Sequence, residues 1–173
     1  MDTEKVNKWL TLGANLGVLA GIMLVAFEIN QANLTTRAEM ISGFQDRWIA
    51  MDMSWQDAEF AAAWSKAIEN PEELSLSEMI QVSGHIWAFL DQVNSSRRLW
   101  ALGVMAEPMA PTDLIIANNA AIFFGNEFAQ SWWTENKSRM NPEIVMLMDP
   151  VIQDISPTRD LEYYERIKAR TRD

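Results

Sequence analysis

The sequence predicts an all-α protein in which one N-terminal transmembrane helix continues into a compact helical-bundle domain. Three observations carry this. Trp9 to Phe27 runs for 19 residues without an ionisable side chain, close to the roughly 20 apolar residues a helix needs to cross a bilayer core. Beyond it, apolar residues recur at spacings of three and four. The punctuation is also helical, with capping residues and first-turn prolines and no sustained alternation of a strand.

Within the span, Gly13, Gly17 and Gly21 repeat at a strict interval of four. In water each glycine costs a helix interior about 1 kcal/mol relative to Ala. In lipid, small residues one turn apart let two backbones approach closely. At about 100° per residue the three fall within an arc of about 80°, which widens to about 100° with Leu10, Ala20 and Leu24. Glu28 and Gln31 continue that arc at the membrane edge. A single-pass chain has no second span to cover this face, so the expected partner is another chain: a second copy, or another membrane protein. Gly13, Gly17, Gly21, Ala20, Leu24 and Glu28 form the expected oligomer interface. Thr11 and Asn15 point almost the opposite way. A polar amide in hydrocarbon needs a partner, which leaves three readings: a neighbouring helix, a water-filled lumen, or wetting near the interface, since six residues from Trp9 is only about 9 Å.

Lys5 and Lys8 resemble the basic start of a signal peptide, but the apolar run exceeds the usual 7–15 residues and Leu24-Val25-Ala26 is a poor cleavage site, so a retained anchor is expected. Residues 1–8 read as a tail, 9–29 as the transmembrane helix, 30–155 as a helical soluble domain and 156–173 as an amphipathic C-terminal tail.

After the anchor, Glu28 to Thr36 lacks Pro and Gly, so the helix can continue. Met40, Phe44, Trp48, Met51 and Trp55 extend it as an apolar stripe. Asp52-Met53-Ser54 marks a break, and Ser54 with Asp57 has capping-box spacing for a second helix carrying Phe60, Ala61, Trp64 and Ile68. Asn70-Pro71 ends that helix. Ser75 with Glu78 opens a third, expected to reach about Met105, with Met79, Ile86, Leu90, Val93, Trp100 and Val104 apolar. Pro108 and Pro111 bracket a loop. Thr112 is placed to cap a fourth helix through Leu114, Ile115, Ala121 and Ile122, bent at Gly125 and continuing through Phe128, Trp132 and Trp133. Asn141-Pro142 is a helix start, and Pro150 is expected to interrupt or bend the helix opened there. The last segment carries Leu161, Tyr164 and Ile167, with Glu162 and Arg166 an i,i+4 pair.

Two stretches resemble a widespread group of uncharacterised bacterial proteins with one N-terminal transmembrane helix. The first is Phe27-Glu28-Ile29-Asn30-Gln31-Ala32-Asn33 with Thr36-Arg37-Ala38. The second is Trp132-Trp133-Thr134-Glu135-Asn136-Lys137 with Asn141-Pro142-Glu143-Ile144, where Lys137 stands in the group's basic position and Ile144 replaces an aromatic. The resemblance implies the same architecture and no particular activity; the expected location is a bacterial inner membrane, crossed once.

Composition narrows the chemistry. Lys and Arg number 14 against 24 Asp and Glu, a net charge of −10, so no basic surface exists for nucleic acid. The acidic surplus lies wholly in residues 52–160, which reads as a solvated domain. Cysteine is absent, so disulfides and thiolate metal sites are excluded. Eight Trp fit a domain held near a bilayer. His85 is the sole histidine, which excludes a His-rich metal site, and Glu-x-x-His pairs for a di-metal bundle are missing. No catalytic residue is assigned, because His85 lacks a positioned partner: Ser83, two positions away, faces elsewhere. No cofactor is expected. Arg97 and Arg98 are candidates for an anionic headgroup or for salt bridges to Asp91, Glu107 or Asp113. Of Trp132 and Trp133, consecutive on a helix, one should face the core and one a partner.

The expected function is therefore a membrane-anchored, homo-oligomeric interaction or scaffold protein without evident catalytic chemistry, its partners the lipid bilayer and itself. Two alternatives stand beside it: an oligomeric pore with Thr11 and Asn15 facing the lumen, and an enzyme or small-ligand binder using a Trp/Met-lined helical pocket. Lys5 and Lys8 balance Arg37 and Arg47 across the span. The lack of a strongly basic leader favours a cytoplasmic domain.

Overall fold

The computed structural model describes residues 3–105 and 112–171. Pro108, Pro111 and Glu107 lie outside the described residues, as do the side chains of Asp113, Leu114 and Ile115. Among the described residues the chain forms α1 (Thr3–Ser54), α2 (Ala58–Glu69), α3 (Leu76–Ala101), α4 (Thr112–Phe123), α5 (Glu127–Asn136), α6 (Pro142–Gln153) and α7 (Arg159–Arg170), with 3₁₀ turns at Pro71–Glu73 and Lys137–Arg139 and no strand. The all-α class expected from the sequence is the class found. Two compact units are present, residues 1–43 and residues 44–173.

The first unit is a single stretch of α1. It contains the one candidate span among the described residues, long and apolar enough to cross a membrane. Every side chain from Trp9 to Phe27 is exposed.

The second unit begins with the last turns of α1, where Met51 is buried. Ser54 does not cap α2, contrary to the capping-box expectation. It is still part of α1, and its hydroxyl donates to the Met51 carbonyl at 2.6 Å. Asp57 is the N-cap, its carboxylate accepting from the Phe60 amide. A carboxylate also complements the helix dipole, which a serine hydroxyl does not. Helix α2 buries Phe60, Ala63, Trp64 and Ala67, an i, i+3, i+4, i+7 face.

Helix α3 opens with the expected box: Ser75 accepts from the Glu78 amide and Glu78 accepts from the Ser75 amide. Lys66 reaches across from α2 to Glu78 at 2.6 Å. With Ser75, it holds the Glu78 carboxyl down at about 2. The helix stops at Ala101, short of the expected Met105, because Gly103 takes a left-handed backbone, φ +63°. The Gly103 amide then bonds Trp100 O and the Val104 amide bonds Leu99 O, a Schellman closure. Val104 is therefore outside the helix.

Helix α4 buries Ile116, Ala120 and Phe123, whereas Ile122 is exposed. The bend expected at Gly125 is a full break. Helix α4 ends at Phe123, and Asn126 caps α5 by accepting from the Ala129 amide at 2.9 Å. Gln130 secures the break by donating to Phe124 O and Ile155 O. Asn141 and Pro142 start α6 as expected, with Asn141 accepting from the Glu143 amide. Pro150 does not interrupt α6, which runs on to Gln153. The carbonyl that proline leaves unpaired is that of Met146, an exposed residue where water can satisfy it.

The core is aromatic at its centre. Phe123 stacks on Phe89 (centroids 4.2 Å, planes 11° apart) and on His85 (5.5 Å). Phe124 meets Trp133 edge-on. Fully burying one such ring contributes about 1.5–3 kcal/mol.

Two glycines should respond oppositely to alanine. A Cβ at Gly125 would strike the Asp160 carboxylate, with Cγ at 2.6 Å, and the Ala121 carbonyl oxygen at 2.8 Å. At Gly84, in mid-α3, nothing stands within 4 Å. Gly125→Ala is expected to lower unfolding free energy by about 1–3 kcal/mol through overpacking. Gly84→Ala should raise it by about 0.5–1 kcal/mol. Denaturant titration of the two variants checks both signs.

Candidate functional site

The expected interface residues Gly13, Gly17, Ala20, Gly21, Leu24 and Glu28 all lie on α1 and are all exposed. A Cβ built on any of the three glycines meets nothing within 4 Å, so a second backbone has room to approach that face. Thr11 satisfies its hydroxyl within its own helix, donating to Asn7 O at 2.9 Å. Asn15 is exposed.

In the helical unit, Trp133 is the buried ring and donates from Nε1 to Asp149 at 2.8 Å. Lys137 reaches the same carboxylate oxygen at 2.8 Å. Together they hold Asp149 below its usual range, Lys137 most strongly. Trp132 is half-buried and packs edge-on against Trp87, centroids 5.2 Å apart. Arg97 pairs with Glu143, at the start of α6, at 3.5 Å; of the acids named from the sequence, Glu107 and the side chain of Asp113 lie outside the described residues. Arg98 is exposed.

His85 is buried, 8% exposed, among Trp55, Phe60, Trp64 and Phe123. The tertiary fold gives it a serine that sequence distance hid. Ser54 Oγ lies 3.3 Å from Nδ1. That hydroxyl proton, however, is committed to Met51 O at the shorter distance of 2.6 Å. Ser54 therefore accepts from Nδ1–H and is not activated as a nucleophile. Burial lowers the His85 pKa to about 4, partly opposed by Asp52. Among the described residues no group of three or more His, Asp or Glu side chains is arranged to hold a metal ion.

The sequence did not reveal the cleft between α2 and α7. Two adjoining cavities of about 690 and 450 Å³ share Trp55, Trp64 and Tyr164 as walls. Asp160, the one buried residue of α7, lies at the smaller cavity with Arg159 and Tyr163. Its amide bonds Gly125 O at 3.0 Å and Arg159 reaches its Oδ1 at 3.2 Å, while Oδ2 has no hydrogen-bond partner. Burial raises the Asp160 pKa, with neighbouring Asn126 and Arg159 opposing. The phenol of Tyr164 is raised as well, first by burial and then by the Asp160 charge. In sequence Asp160 is one acid in the first turn of a helix and Gly125 one glycine between helices. Nothing local links residues 35 positions apart.

His85 implies a pH dependence. Its unfolded pKa is about 6.5 and its folded value about 4, so protonation favours the unfolded chain. Stability is complete above pH 6.5 and is lost as pH falls toward 4, by about 2–3 kcal/mol. Asp160, whose folded pKa is raised, acts with the opposite sign at the acid end of that window. Denaturant titrations across pH 4–7 should show a fall in stability toward acid that His85→Phe reduces, most clearly between about pH 5 and 6.5, above the range of the carboxyl groups.

No protein-family model, no curated protein and no solved structure matches this chain.

Proposed function

We propose that this chain is a single-pass membrane protein that self-associates through its span and presents a helical domain for interaction at the membrane surface. One observation carries the reading. The only helix among the described residues able to cross a membrane by length and composition bears three glycines on one exposed face with open space above each. In lipid such a face gains packing only from another helix. The resemblance of the anchor exit and of the Trp132–Ile144 region to single-pass bacterial proteins supports the same architecture. The pore alternative has less support, since the Thr11 hydroxyl already bonds its own backbone.

The test is the mass of the full chain in detergent or native nanodiscs. Gly17→Leu places a branched side chain at the centre of the face and should shift the protein to a smaller oligomer. Gly43→Leu, further along α1 where nothing stands within 4 Å, should leave the mass unchanged. An unaltered oligomer in Gly17→Leu would transfer self-association to the helical unit.

A further inference from the structure

We propose that the cleft between α2 and α7 is a binding site for an organic ammonium group, methylated or otherwise alkylated on nitrogen. The cleft combines the two elements that recognise such cations: aromatic walls and a carboxylate screened from water. Trp55 and Trp64 meet edge-on with centroids 4.9 Å apart, and Tyr163 and Tyr164 do so at 5.2 Å. All four line the smaller cavity. An alkylated ammonium is attracted to the negative ring faces and gains most when desolvated.

The anionic element is Asp160, 6% exposed, with one oxygen unpartnered. A buried carboxylate short of partners is costly, and a cation in the cleft would offset that cost. The charge is felt on the cleft side, because it acts on the Tyr164 phenol. Arg159 pairs with Oδ1 alone and leaves Oδ2 open. Its Nη1 is divided between Ala121 O at 2.8 Å and Asp160 Oδ1 at 3.2 Å. At the larger cavity Glu69 and Glu165 outnumber Lys168, so the local charge also favours a cation. This inference is independent of span self-association.

The probe is choline, compared with 3,3-dimethylbutan-1-ol, which has the same shape with carbon in place of the charged nitrogen. Binding to the full chain, in detergent without a quaternary ammonium group, is followed by calorimetry and tryptophan fluorescence. Choline should bind saturably, and the neutral isostere about tenfold more weakly or not at all. Tyr164 is 50% exposed, so Tyr164→Leu should fold normally by circular dichroism and weaken choline by about tenfold. No saturable choline binding, equal binding of the isostere, or unchanged affinity in Tyr164→Leu would each overturn the proposal. Nanodiscs separate the two sources of the ligand. A choline response that persists equally in phosphatidylcholine and phosphatidylglycerol discs assigns a soluble ammonium compound. A response suppressed only in phosphatidylcholine assigns the lipid headgroup.

Discussion

The carboxylate of Asp160 is the constraint on which the helical unit turns. It packs where a side chain at position 125 would have to be, so any larger residue there would have to displace the start of α7. The Asp160 amide closes the same contact by bonding Gly125 O, and Arg159 ties Ala121 O to Asp160 from the other side. The end of α4, the start of α5 and the start of α7 therefore meet at one point. Placing α7 there also makes the cleft, since Tyr163 and Tyr164 follow Asp160 on the same helix. A buried charge is an expensive way to join three helices. Here the carboxylate meets the Arg159 guanidinium at Oδ1 and fills the space beside Gly125, while the Asp160 backbone amide makes the separate bond to Gly125 O.

Around that junction the unit relies on aromatic packing rather than on charge. Phe123 stands between Phe89 and His85, and Trp55 and Trp64 close the far side of the imidazole. A histidine so enclosed is held neutral and serves as a flat ring with one polar edge satisfied by Ser54. The ion pairs lie outside this centre. Lys66–Glu78 and Lys137–Asp149 are short, at 2.6 and 2.8 Å, yet partly solvated. Pairs of that kind orient neighbouring elements more than they stabilise them.

The span and the cleft rest on different physics. Close approach of two helices in lipid needs only small side chains in register, and the α1 face provides them. Recognition of an alkylated cation needs rings and a shielded carboxylate converging from separate helices. The two proposals, self-association through the α1 face and ammonium binding in the cleft, therefore call on separate parts of the chain and on separate residues.

What the sequence determined by itself is everything that depends on neighbours a few residues away. The uncharged run from Trp9 to Phe27, the glycine register, the Ser75–Glu78 box and the Asn141-Pro142 start are local patterns, each decided within a turn or two of helix. Ser54 and Gly125 mark where local reasoning stopped. Ser54 matched the capping-box spacing, but Asp57 offered the stronger cap, and the α1 helix kept the serine. Gly125 resembled a bend because the sequence could not show Asp160 filling its side-chain space. The uninterrupted α6 through Pro150 was likewise settled by which surfaces meet and which face water. Only the tertiary structure decided that Ser54 would face His85 and that residues 55, 64, 160 and 164 would enclose one cleft. Contacts over such separations arise from packing whole helices against one another, and periodicity within a single helix does not encode which face meets which.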